Sequence, residues 1–86
     1  MKKNIKELTS ALNKIEKEDV VISIFHKLYG NQKIECSFYP ITNNHIGFRV
    51  KEQDIYINRD EISYINLKDN CICFADDLMK IKIEVK

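Results

Sequence analysis

The residues able to support the most specific chemistry are three cysteines and two histidines. Cys71 and Cys73 are two positions apart, which on an extended strand places both sulfurs on one face. With Cys36 and either His26 or His45 they would supply the thiolates and imidazole of a tetrahedral zinc site. Structural zinc sites, however, use two close ligand pairs joined by turns, and this chain has one pair, on a strand. The sulfurs therefore read as small packed side chains. A cysteine nucleophile needs an activating histidine and a further group that orients it. No spacing here singles out such a trio, so the chain is read as no enzyme, with no catalytic residue, metal or cofactor. Asp76-Asp77 falls in a turn, where Asp is favoured anyway. Gly30 and Gly47 stand alone, so no glycine-rich loop cradles a phosphate.

Aromatic and basic residues offer a second kind of chemistry. Tyr29, Tyr39 and Tyr56 fall on outward positions of a period-two pattern, while Phe38, Phe48 and Phe74 fall on inward ones. Beside Lys27, Arg49, Lys51 and Arg59, the outward rings could stack on single-stranded bases at about 1–3 kcal/mol each. The same residues are ordinary half-exposed strand formers, and Tyr and Arg are also the residues that anchor protein interfaces.

The elements that must position these groups follow from periodicity. Ile5, Leu8, Leu12 and Ile15 make one apolar stripe, which predicts a helix over 3–17 with Lys2, Lys3, Lys6, Glu7, Lys14, Glu16 and Lys17 covering most of the other face. From residue 19 the period becomes two: Val20, Ile22, Ile24, His26 and Leu28 face one way, Val21, Ser23, Phe25, Lys27 and Tyr29 the other. The segment YGNQK predicts a hairpin turn on Gly30, and Pro40 marks an edge, a bend or a bulge. TNN, KEQD, KDN and ADD mark further turns, and Met79, Ile81, Ile83 and Val85 alternate with Lys80, Lys82, Glu84 and Lys86. Short connections make neighbouring strands antiparallel. The expected fold is α+β, mainly β: a single domain over 1–86, with the helix followed by a meander of six or seven short strands over 19–86. The meander would be a small coiled sheet or an Sm/SH3-like barrel.

Composition bounds the function. At 86 residues the core is thin, and such domains often lean on a partner or on self-association. Lys and Arg number 14 against 13 Asp and Glu, so no global basic field drives a strong grip on nucleic acid. No run of 18 apolar residues crosses a bilayer, and MKKNIKEL has the lysines of a signal peptide without the apolar core. Three cysteines do not form a secreted disulfide framework, and the expected location is the cytoplasm.

The segment LNKIEKEDVVISIF, residues 12–25, resembles the helix-to-strand segment of the bacterial Sm-like RNA chaperones, the Hfq family. INRDEISYI, residues 57–65, resembles that family's second signature, and the likeness spans residues 8–65. It implies a small barrel, a homo-oligomeric ring and RNA as ligand. Phe25 matches the base-stacking aromatic and Asn13 a rim asparagine, while Arg59 keeps the one positive charge that would face a phosphate. The family's Tyr-Lys-His is here Asn58-Arg59-Asp60, and its basic rim becomes Glu16, Lys17 and Asp19. The binding candidates are Phe25, Tyr29, Tyr39, Arg49, Arg59, Asn13 and Lys17. The leading expectation is a non-catalytic protein acting through a protein–protein interface, such as a small phage or mobile-element inhibitor of a host protein. The alternative is an Sm-like, ring-forming RNA-binding module.

Overall fold

The computed structural model describes residues 4–86. Residue 3 of the expected helix, with Lys2 and Lys3, lies outside the described residues. Helix α1 spans Ile5–Lys14, capped by Asn4, whose Oδ1 accepts from Glu7 N at 3.0 Å. It ends before the expected residue 17 because Lys17 adopts φ 70°, outside helical space, and its N–H donates to Phe38 O at 2.7 Å. Leu8 and Leu12, the centre of the apolar stripe, are fully buried.

Eight antiparallel strands follow: β1 Asp19–His26, β2 Gly30–Ser37, β3 Pro40–Thr42, β4 His45–Val50, β5 Gln53–Asn58, β6 Tyr64–Lys68, β7 Cys71–Ala75 and β8 Met79–Val85. They form a five-stranded sheet in the order β2-β1-β8-β7-β6 and a three-stranded sheet in the order β3-β4-β5. β1 with β2, β3 with β4, β4 with β5, β6 with β7 and β7 with β8 pair as hairpins, and one long-range pairing sets first strand beside last, with Ile22 opposite Ile83 and Ile24 opposite Ile81. The sheets do not close into a barrel. Proline has no N–H to extend a ladder, and Pro40 opens β3 where the chain leaves β2; a 3-10 turn at Arg59–Glu61 separates β5 from β6. Among the described residues no helix is long and apolar enough to cross a membrane.

One core joins the helix and both sheets. Val20, Ile22, Ile81, Ile83, Phe38, Phe48 and Phe74 are fully buried in it, as the period-two pattern requires. The pattern fails at the first hairpin. β1 ends at His26 and Phe25 pairs with Asn31, so Lys27, Leu28 and Tyr29 form the turn rather than the strand. His26 Nδ1 accepts from Leu28 N at 3.1 Å and Tyr29 N at 3.3 Å, and Gly30 takes φ 85°. Leu28, expected to point inward, is thus 70 % exposed.

Gly47 sits where β4 and β5 approach closely. A Cβ built on it would overlap Ile55 O and lie 2.6 Å from Tyr56 Cα. Only a residue without a side chain permits this backbone contact.

Candidate nucleic-acid interface

β1 and β8 of the five-stranded sheet bury alternate residues and turn the others outward. Cross-strand register arranges the outward set in rows. Phe25 of β1 pairs with Lys80 of β8, which pairs with Ala75 of β7, which pairs with Tyr64 of β6. The next row runs Ser23, Lys82, Cys73, Asn66, and the third Val21, Glu84, Cys71, Lys68. Lys80 and Lys82 of β8 run down the middle of this face, with the small side chains of Ala75 and Cys73 beside them on β7. Phe25 and Tyr64 stand at either side, 40 % and 42 % exposed.

The result is a shallow concavity of about 310 Å³. Lys68, Lys80 and Lys82 line it with Phe25, Tyr64, Asn66, Cys71 and Cys73, and no carboxylate belongs to the lining. In a chain of balanced charge that is a local segregation. Lys80 Nζ lies 5.7 Å from the Tyr64 ring centroid, within cation–π range. Asn66 Nδ2 donates to the Tyr64 hydroxyl at 3.1 Å and orients the ring. The nearest acid, Glu84, is 4.0 Å from Lys82 at the rim.

Burial pushes the Cys73 thiol up, against a smaller opposing pull from Lys80 and Lys82. Cys36 is likewise raised by burial, and it lies on the opposite face, paired with Val20. Cys36 therefore cannot join Cys71 and Cys73 in one site. His26 Nδ1 is held by the hairpin turn, and the His45 ring packs 4.2 Å from that of Tyr56. Among the described residues no three His, Cys, Asp or Glu side chains converge as a metal site.

Of the seven binding candidates read from the sequence, Phe25 alone lines this concavity, together with Cys71 and Cys73 of the cysteine pair. Tyr29 occupies the first hairpin turn, its ring 4.6 Å from His26. Tyr39 and Arg49 are neighbours at the three-stranded sheet, where Arg49 N donates to Tyr39 O at 2.9 Å. The Arg49 guanidinium is engaged by Asp54 through two bonds of 2.6 and 3.1 Å. That pairing raises the Arg49 pKa and lowers that of Asp54. Arg59 is spent inside the fold: Nε donates to Asn43 O at 3.0 Å, and Nη2 to Thr42 O at 3.1 Å and Asn43 O at 2.7 Å. Asn13 Oδ1 accepts from Thr42 Oγ1 at 3.4 Å, tying α1 to β3. Lys17 contributes its backbone to the helix end, as described above.

Tyr64, Lys68, Lys80 and Lys82 were absent from the sequence-based site. The alternation of MKIKIEV does place Lys80 and Lys82 on one face. Their proximity to Phe25 depends on β8 lying beside β1, which alternation does not encode. No protein-family profile, curated protein or solved structure matches the chain.

Proposed function

We propose that the chain is a non-catalytic binding protein whose outer five-stranded face holds single-stranded nucleic acid. One observation carries the reading: two exposed aromatics and three lysines line a single concavity from which carboxylates are missing. Phe25 and Tyr64 are three strand spacings apart, roughly 14 Å. Each offers a ring to a base, and the small Ala75 beside Tyr64 lets a sugar or base approach the sheet there. Lys68, Lys80 and Lys82 supply charge to successive phosphates, and aromatic stacking is tolerant of sequence. Three free cysteines, Cys36, Cys71 and Cys73, suit the reducing cytoplasm as the place of action. The resemblance to Sm-like chaperones points to the same ligand class, although Arg59 is here occupied by backbone carbonyls.

Fluorescence anisotropy with a labelled 12-nucleotide oligo-U tests the reading. The Phe25→Ala/Tyr64→Ala double variant should bind at least tenfold more weakly, since losing two stacks removes about 2 kcal/mol or more. Circular dichroism controls for folding. Equal binding by the double variant, or equal competition by duplex of the same length, would refute it.

A further inference from the structure

A second surface, at the end of the molecule, has the opposite charge. The β1–β2 turn and the β7–β8 turn lie side by side, joined by Lys27 N donating to Leu78 O at 2.9 Å. They display Leu28, Tyr29 and Leu78 at 70 %, 85 % and 49 % exposure. Single exposed apolar residues are ordinary, whereas three on two hydrogen-bonded turns form a patch.

Side chains hold both turns in shape. His26 Nδ1 braces the first, as described above. In the second, Asp76 Oδ1 accepts from Leu78 N at 2.8 Å and Met79 N at 2.7 Å. Leucines fixed on braced turns lose little further freedom on docking, which favours binding.

Beside the buried Ile62 lies a concavity of about 560 Å³ whose exposed apolar side chain is Leu78. Asp60, Glu61, Asp76 and Asp77 line it and no cation does. Lys27 is the one cation on the two turns. Lysines thus line the sheet-face concavity and carboxylates line this one, with Leu78 among the carboxylates.

We infer that this end docks a basic segment of a partner protein, one apolar side chain seated on Leu78 and flanking Lys or Arg side chains meeting Asp60, Glu61 and Asp77. The inference is independent of nucleic-acid binding on the sheet face, and it assigns the protein–protein contact expected from the sequence to a defined site.

Panning a phage-displayed random 12-residue peptide library on the full chain tests it. The expected result is enrichment of peptides with two or more Lys or Arg around an aliphatic or aromatic residue. Their affinity should fall about tenfold in Leu28→Ser/Leu78→Ser and in Asp60→Asn/Asp77→Asn. The carboxylate variant should also lose salt dependence, which a merely structural defect would not cause. Neutral or acidic winners, no enrichment, or unchanged binding to both variants would overturn the inference. So would displacement of the peptides by oligo-U, which would move them to the sheet face. Sedimentation of the protein alone, if it showed a dimer lost in Leu28→Ser/Leu78→Ser, would make a second copy the occupant and equally overturn it.

Discussion

Replacing Gly47 by Ala adds one methyl group where the backbones of β4 and β5 approach closely. That methyl would overlap Ile55 O and crowd Tyr56 Cα and Ile55 C at 2.6 and 2.8 Å. All three atoms belong to backbone, so no rotamer change relieves the clash; β4 and β5 must part. Both strands contribute core residues, Ile46 and Phe48 from one and Ile57 from the other, so parting them also disturbs packing. Overpacking in a dense interior costs about 1–3 kcal/mol and sometimes more. We take about 3 kcal/mol, because the obstacle is rigid. In a domain of this size 1 kcal/mol moves Tm by about 4–8 °C, so Gly47→Ala should melt roughly 12–24 °C lower. Gly30→Ala is the internal control. Nothing lies within 4 Å of a Cβ there, and only the φ of 85° resists substitution. That left-handed strain costs about 1–2 kcal/mol. Thermal melts followed by far-ultraviolet circular dichroism compare the two. A Gly47→Ala Tm equal to or above that of Gly30→Ala would refute the close approach of β4 and β5.

Two further outcomes are expected. Three lysines in the sheet-face concavity set the salt dependence of oligo-U binding: at about 0.7 ion per phosphate on a single strand, the log–log slope is about −2, an ~18-fold loss of affinity between 50 and 200 mM salt. Anisotropy titrations at several salt concentrations measure it, and a slope near zero would contradict the assigned contacts. Arg59→Ala strips the Thr42 and Asn43 carbonyls of their donors and should lower stability by about 1–2 kcal/mol in urea unfolding. Arg59→Lys should not restore it, because an ammonium lacks the planar fork; full restoration would show that charge alone suffices.

Much of this architecture was legible from local pattern. The helix stripe at Leu8 and Leu12, the inward isoleucines of β1 and β8, and the three buried phenylalanines all follow from periods of 3.6 and two, which are properties of a short piece of backbone. The first hairpin shows the limit of such reading. Alternation alone carried Leu28 inward, whereas the side chain of His26 and the left-handed Gly30 ended the strand sooner.

Which residues share a surface was decided by tertiary structure. Phe25 and Lys80 are 55 residues apart and meet because β1 pairs with β8; Tyr64 joins their row two strands further on. Tertiary structure also took Arg49 and Arg59 out of the pool of available cations, by giving one a carboxylate and the other two carbonyls. The physical reason is one of range. Side-chain direction is set by each residue's own dihedral angles, so sequence determines it; strand adjacency is set by hydrogen bonds between distant segments, and Pro40 together with the turn at Arg59–Glu61 parted those segments into two sheets.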